Sequence, residues 1–433
     1  MLDIKFILQN QDLLKNVIKN KKIDLQLDDL VNVAKQKVAL TKELEELQRQ
    51  RNLKATKMKN FAKLSDSEKT QLTEEGKNIK NKISEIEEKL NPIIEKYNQL
   101  MLLVPNLYSA DTPIGESAED NKEISKWGKL PNFKFSPKDH IELGKSLDLI
   151  DFDKGVKVSG FRGYFLKNEA VLLQLGLMMQ AVQKMQKNGF QLLIPPTLIK
   201  EFALIGSGHF PFGKEEIYKI GNPHRLEDKT KEKIFLAGTS ESSLLAYYAD
   251  QTLKEEDLPI KLCGFSQCYR SEVGSYGKDT KGIYRIHEFM KVEQVILCQN
   301  DIKEGLEHFE KMRNISEELL QDLKLPYRVL SICTADMGAG KYKMYDLETY
   351  MPSRNGYGET HSDSFMTDWQ ARRLNIKYKT KSGEIKYVYT LNNTVIASPR
   401  ILIAILENYQ KADGSVEVPK ILQKFVGKKI IKK

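Results

Sequence analysis

The chain has 433 residues, 40% hydrophobic and 29% charged, with 68 basic against 59 acidic side chains and a net charge of +9. That is enough apolar material for two or three cored domains, and it excludes a chain disordered throughout. No run approaches the ~20 uncharged apolar residues of a membrane span, and Asp3, Lys5 and Asp12 interrupt the start where a signal peptide would be apolar, so a soluble cytoplasmic protein is expected.

Residues 1–104 hold one proline, Pro92, and no Trp, His or Cys. Leu30, Val33, Leu40, Leu44 and Leu47 step by three and four, with Lys37 filling one slot. Ile79, Ile83, Ile86, Leu90, Ile93, Tyr97 and Leu100 repeat the pattern. Such seams predict two long helices. The short polar residues of Lys63-Leu64-Ser65-Asp66-Ser67-Glu68 suit a turn and a new helix start, so the helices should fold back as an antiparallel coiled-coil hairpin. Pro92 should kink or interrupt the second helix. Toward the turn run Arg49, Arg51, Lys54, Lys57, Lys59 and Lys63 with no acid between them. A solvated face is the plain reading of such a run. A basic tip also suits phosphate contacts, and the net charge points toward a polyanionic partner.

Residues 104–128 read as a linker rich in turn formers, among them Pro105, Asn106, Ser109, Asp111, Thr112, Pro113 and Gly115. The chain then becomes globular, which sets domains at 1–104 and 105–433. Helical periodicity covers Ala170–Met185, and helices are expected near Asp301–Leu323 and Pro399–Tyr409. Strand-like runs fall at Phe190–Ile194, Ile234–Leu236, Ile260–Cys268, Val292–Leu297, Arg328–Ile332 and Tyr387–Leu391. Without regular βαβ alternation, a mixed and mainly antiparallel sheet is favoured, in an α+β fold. Cys263, Cys268, Cys298 and Cys333 form no CxxC, so neither a disulfide framework nor a zinc site is expected.

Gly208-His209-Phe210-Pro211-Phe212-Gly213-Lys214 imitates the start of a phosphate-binding loop, but Glu215 follows where Ser or Thr must hold magnesium. Stronger is Tyr269-Arg270-Ser271-Glu272, a polar loop, and then Arg285-Ile286-His287-Glu288-Phe289-Met290-Lys291-Val292-Glu293. Alternation puts Phe289, Lys291 and Glu293 on one strand face. Arg270 could grip a phosphate with its forked donors and Phe289 could stack a base. In Leu391–Arg400 a strand runs into a helix opened by Ser398-Pro399. Arg400 in its first turn opposes the helix dipole, which calls for a nearby anion.

These two segments resemble motifs 2 and 3 of the class II aminoacyl-tRNA synthetases, and Gly189-Phe190 through Pro196 resembles motif 1. Within that class the chain is similar to the seryl-tRNA synthetase family. It shares Thr239-Ser240-Glu241, Arg270-Ser271-Glu272 followed by Gly274-Ser275-Tyr276-Gly277, Gln370-Ala371-Arg372-Arg373 and Leu406-Glu407-Asn408-Tyr409-Gln410. The hairpin is similar to the family's tRNA-binding arm, and Asp120-Asn121 with Trp127-Gly128 to the entry of its catalytic domain.

The resemblance implies an α+β enzyme with a class II catalytic domain, its mixed, mainly antiparallel sheet flanked by helices. It would activate L-serine with ATP and Mg²⁺, releasing pyrophosphate, and transfer serine to the 3′ end of tRNA(Ser). Charging of tRNA(Sec) is left open, and motif 1 implies a homodimer. Arg270, Glu272 and Arg400 would be the catalytic set. Arg270 would hold the α-phosphate and the serine carboxylate, Glu272 the adenine amino group, and Phe289 and Arg400 would sandwich the ring. Ser271, Ile286, Thr360, His361 and Ser362 would complete the ATP site, with Glu359 holding magnesium and His361 taking no acid–base role. Serine would meet Thr239, Ser240, Glu241, Glu293 and Thr394 beside Arg270, and tRNA would meet Arg49, Arg51, Lys54, Lys57, Lys59 and Lys63. The chain departs from the commoner pattern at Asn392-Asn393-Thr394-Val395, usually Asn-Gly-Ser-Gly, and at Asp363, commonly cysteine. The His209–Glu216 loop departs as well.

Overall fold

The structure, a computed structural model, describes residues 1–58, 65–221, 233–273 and 281–433. It divides into two compact units, Leu2–Val104 and Pro105–Lys433.

In the first unit two short helices, Ile4–Gln9 and Gln11–Asn20, precede helix α1 (Leu27–Met58) and helix α2 (Asp66–Leu103). Leu30 and Val33 of α1 and Ile79, Ile83, Ile86 and Leu90 of α2 are buried, as the heptads require. The pairing is antiparallel. Lys37 Nζ lies 4.0 Å over the Tyr97 ring, while Lys54, farther along α1, pairs with Glu75, nearer the start of α2. The lysine in the seam is therefore accommodated by an aromatic face. Ser65 caps α2 in a reciprocal capping box with Glu68. Residues 63–64 of the expected turn lie outside the described residues. Pro92 does not interrupt α2, which continues through it. Pro92 is exposed, so its missing N–H costs no buried hydrogen bond.

The second unit is built on an eight-stranded sheet: β1 (Lys122–Trp127), β2 (Gln191–Leu193), β3 (Ile260–Tyr269), β4 (Glu288–Cys298), β5 (Tyr327–Ser331), β6 (Lys343–Met351), β7 (Gly356–Thr367) and β8 (Tyr389–Ala397). Their order is β1-β5-β6-β7-β8-β4-β3-β2, antiparallel throughout except for the β2–β3 pair. Helices α3 (Glu169–Lys187), α4 (Glu241–Ala246), α5 (Ile302–Asp322) and α6 (Ser398–Asn408) flank it. Leu173 and Leu177 of α3, Phe309 and Met312 of α5, and Ile401 and Ile405 of α6 share the main core with Val292, Ile296 and Leu391 of the sheet. A second core joins Leu244 of α4 to Val295 and Leu297 on the other face of β4. One strand thus supplies both cores by alternation.

Further points differ from the sequence reading. Residues 105–121 are no loose linker: buried Asn106 donates Nδ2 to the Gly340 and Met366 carbonyls at 3.1 and 2.8 Å, and β1 is an edge strand of the sheet. Turn formers signal irregular backbone, and side-chain amides can anchor such backbone firmly. Strands β1, β6 and β7 were not anticipated. Ser398 is not the N-cap of α6; Ala397 is, with no side-chain cap bond, and Ser398 is the first helical residue, followed by Pro399. All four cysteines are free and buried. Among the described residues no helix is long and apolar enough to cross a membrane.

Candidate active site

One cavity opens on the sheet between β3, β4, β7, β8 and the start of α6. Its lining brings together Arg270, Glu272, Ile286, Phe289, Glu359, Thr360, His361, Ser362, Thr394 and Arg400, with Tyr284 and Lys291 added.

At one end stand the arginines. Arg270 follows β3; its backbone N–H donates to His287 O at 2.9 Å and its Nε–H to Gly238 O at 3.4 Å. Its guanidinium carbon lies 5.5 Å from the centre of Phe289. Glu272 sits at φ +52°, a left-handed backbone that non-glycine residues seldom adopt. Its Oε2 accepts from Arg285 Nη1 at 3.2 Å and lies 3.7 Å from Arg162 Nη1. Arg400 donates Nη1–H to both the carbonyl and the Oε2 of Glu359, at 2.8 and 3.0 Å, and its guanidinium carbon lies 4.4 Å from the Tyr284 ring centre. The anion that a cation in the first turn of α6 calls for is thus supplied from within the chain. Burial pushes the Glu359 carboxyl up, but Arg400, by charge and hydrogen bond, and Arg270 outweigh it and hold it below the usual glutamate value. Nearby Asp346 on β6 stands opposite Ser362 on β7. Burial first, and the Glu359 charge second, hold Asp346 well above the usual aspartate value, and its Oδ1 has no hydrogen-bond partner among the described residues.

A β-bulge sets the spacing here. Leu347 pairs with His361 and Glu348 with Glu359, which leaves Thr360 as an extra residue. An extra residue resets alternation, so Glu359 and Ser362, three apart, both line the cavity. A second bulge in β8 does the same. Thr394 pairs with Glu293 and Ile396 with Val292, which leaves Val395 extra and puts Thr394 and Ala397 on the cavity.

The other end is a chain of buried polar groups. Lys291 Nζ donates to Thr239 Oγ1 at 2.7 Å and lies 2.5 Å from Glu293 Oε2, which also accepts from Thr394 Oγ1 at 3.3 Å. Burial pushes the Glu293 carboxyl up against the opposing pull of Lys291. Glu241 opens α4, and its Oε1 accepts from Gln370 Nε2 at 2.6 Å and Asn392 Nδ2 at 3.0 Å. Burial raises its proton affinity while the Gln370 bond opposes. The Gln370–Arg373 segment thereby gains a physical role. Gln370 also accepts from Thr390 Oγ1 at 2.6 Å, and Arg373 donates to the Ile205 and Phe210 carbonyls at 2.9 and 3.1 Å. These two residues brace the 205–210 turn, where His209 Nδ1 lies 2.9 Å from Ser207 Oγ and 3.4 Å from Ser242 Oγ. Burial and the charges of Arg270, Lys291 and Lys341 push His209 down to about 3.

Some expected side chains point elsewhere. Ser240 Oγ donates to Gly264 O at 3.4 Å and Ser271 Oγ to Glu215 O at 2.6 Å. Thr360 and His361 border the cavity but are themselves nearly wholly buried; the hydroxyl of Thr360 meets Thr349 Oγ1 at 2.8 Å, and burial pushes His361 down to about 4. In the helical unit Arg49 pairs with Glu46 at 2.8 Å and Lys54 with Glu75, so acids from a preceding turn and from α2 meet the basic run. Arg51 is exposed. Lys59, Lys63 and Gly274-Ser275-Tyr276-Gly277 lie outside the described residues, and Lys57 is described only as backbone of α1. Lys291, Tyr284 and Asp346 had received no role from the sequence. Only the alternation that put Lys291 on the Phe289–Glu293 face pointed to any of them.

Comparison with known proteins follows these two units. The tRNA synthetase class II core domain (G, H, P, S and T) matches residues 224–409, and the seryl-tRNA synthetase N-terminal domain matches residues 1–108. The chain is 42% identical over 427 residues to the serine–tRNA ligase of Deinococcus radiodurans, covering 99% of this chain and 98% of that one. It is also 42% identical over 429 residues to that of Treponema denticola, covering 99% of each. Among solved structures it superposes on seryl-tRNA synthetase from Pyrococcus horikoshii complexed with ATP with a TM-score of 0.89 at 35% identity, over 100% of this chain and 99% of that one.

Proposed function

We infer that this chain, which belongs to the seryl-tRNA synthetase family, activates L-serine with ATP to seryl-adenylate and pyrophosphate and then transfers serine to the 3′ end of tRNA(Ser). The observation that carries the reading is the convergence of Arg270 and Arg400 on one cavity that also holds Thr394, the hydroxyl partner of the buried Glu293 carboxylate. In the first step the serine carboxylate attacks the α-phosphorus and pyrophosphate leaves. No side chain becomes covalent, so rate comes from positioning and from cations where charge develops. Arg270 is the residue for that charge, since its backbone and Nε are already anchored. Phe289 and Arg400 hold adenine between them, and Glu272 receives its amino group. Glu293, Thr394, Thr239 and Glu241 receive serine. A hydroxyl-sized polar site rejects alanine because the analogue leaves buried groups unpaired.

The oxygen donors around Glu359 fit magnesium. An ionised carboxylate, the Ser362 hydroxyl and the unpartnered Asp346 Oδ1 form a hard-oxygen set. Glu359, Ser362 and Asp346 would hold the ion, which supplies charge neutralisation at the phosphates.

For the helical unit we propose tRNA binding through Arg49, Arg51, Lys54, Lys57, Lys59 and Lys63, with tRNA(Sec) as a candidate second acceptor, in the cytoplasm. A homodimer is proposed from the exposed apolar face of α3, where Val171, Leu172, Leu175 and Met179 lie, together with Ile194, which is 83% exposed after β2. The test is ATP–pyrophosphate exchange with each amino acid, with and without tRNA. Exchange dependent on serine alone and not requiring tRNA is expected; exchange driven by another amino acid overturns the reading.

A further inference from the structure

Among the described residues the β7–β8 ladder runs from Thr367–Thr390 to Asp363–Asn393. Beyond that pair the strands part, and the cavity occupies the opening, with Glu359 and Ser362 on the β7 side and Thr394 and Arg400 on the β8 side. Besides the Arg400–Glu359 contact, the His361 side chain spans the gap. His361 Nε2 lies 3.0 Å from the carbonyl oxygen of Val395, the extra residue of the β8 bulge. His361 Nδ1 lies 2.8 Å from the hydroxyl of Thr360, the extra residue of the β7 bulge. We propose that His361 is a positioning residue that ties the two bulges together and so holds Thr394 in register for serine.

The bonding pattern sets the tautomer. A carbonyl oxygen only accepts, so Nε2 carries the hydrogen, which leaves Nδ1 as an acceptor facing the Thr360 hydroxyl, whose one hydrogen it shares with the Leu347 carbonyl. A bulge leaves its extra residue outside the ladder, so the Val395 carbonyl needs a partner from elsewhere. With that bond made, Val395 cannot rotate its peptide, and the adjacent Thr394 keeps its hydroxyl on Glu293. The β7 bulge depends less on His361, because Thr360 Oγ1 also contacts Thr349 Oγ1 at 2.8 Å and the Leu347 carbonyl at 3.1 Å. Loss of the imidazole therefore disturbs the serine side more than the nucleotide side. This inference rests on the assignment of serine to Glu293 and Thr394 and of ATP to Glu359.

The test compares H361N with H361Q in serine-dependent pyrophosphate exchange, alongside thermal unfolding. Asparagine can still meet Thr360 but is too short for Val395 O, whereas glutamine places an N–H near the position of imidazole Nε2. H361N is expected to raise the serine KM about 10-fold or more, as small misplacements do, with the ATP KM changed less than about 3-fold. H361Q is expected to recover most of that loss. Equal rises in both KM values, or no recovery in H361Q, overturn the proposal. If H361N does not fold, H361M takes its place. It fills much of the ring's space but offers no N–H to the Val395 carbonyl, and should raise the serine KM more than the ATP KM; an unchanged serine KM again overturns the proposal. Failure of the underlying site assignment would look different, as absence of serine-dependent exchange in the unaltered chain.

Discussion

Replacing Glu293 by glutamine keeps the shape of the serine site and removes its charge. In the structure the carboxylate lies 2.5 Å from Lys291 Nζ and 3.3 Å from Thr394 Oγ1, with Glu293 and Lys291 both buried. A hydrogen bond to a charged group contributes about 1.5–3 kcal/mol. At 1.36 kcal/mol per tenfold, E293Q should lower kcat/KM for serine by about 10- to 150-fold. Stability should fall as well, because removing one partner of a buried ion pair costs about 3–5 kcal/mol. The amide still accepts one hydrogen bond, so the lower end is expected. The two losses separate in K291M/E293Q, which removes both charges: unfolding should move back toward the unaltered chain while serine activation stays low. Pyrophosphate exchange at saturating ATP measures the first effect and calorimetry the second. A folded E293Q enzyme with serine kcat/KM within about 3-fold of the parent would show that this carboxylate does not face the substrate.

Deleting Leu27–Leu102 should leave serine-dependent exchange largely intact and abolish tRNA charging; loss of exchange in a folded deletion would refute the division of labour. Stability should depend on pH through His209. The unfolded imidazole binds a proton below 6.5, but the folded one, desolvated and facing Arg270, resists until about 3. The contribution is thus complete above pH 6.5 and lost as pH falls toward 3, the loss reaching roughly 3 kcal/mol by pH 4. H209Q should unfold with a flatter acid dependence in calorimetric scans, and an unchanged slope would contradict the buried neutral imidazole. Q370L removes the bonds that Gln370 makes to Glu241, Thr390 and Ser207 O, and should cost about 3 kcal/mol by leaving those buried groups short of partners. Denaturant unfolding measures it, and a loss under about 1 kcal/mol would mean that Glu241 is held from elsewhere.

Period made much of the fold readable. The two heptad seams lie where α1 and α2 pair, and Val292–Leu297 and Ile260–Cys268 lie within β4 and β3. β7 was invisible for a physical reason. Its bulge spaces the cavity residues Glu359 and Ser362 by three, so a strand does not read with period two. Turn formers around Asn106 announced irregular backbone, but nothing local could announce that its amide would be buried against residues more than two hundred positions away. The same limit applies within the site. Arg270, Glu272 and Arg400 sit in recognisable runs, whereas Tyr284 reaches the cavity, and Asp346 its place opposite Ser362, only through tertiary packing, and Gln370 matters through Glu241.

The bulges at Thr360 and Val395 also bear on which heritable changes in length this sheet can absorb. Losing one residue from a regular strand exchanges inside for outside along everything beyond it. At these two positions the partner strand has no residue to match, so a one-codon deletion would leave the flanking pairs as they are: Glu359 with Glu348 and His361 with Leu347, or Thr394 with Glu293 and Ile396 with Val292. At 360 such a shortened chain keeps the inside–outside pattern of its flanking residues; at 395 it keeps that pattern but loses a buried core side chain, Val395. In both cases it gives up the three-residue spacing that sets Glu359 with Ser362, and Thr394 with Ala397, on the cavity.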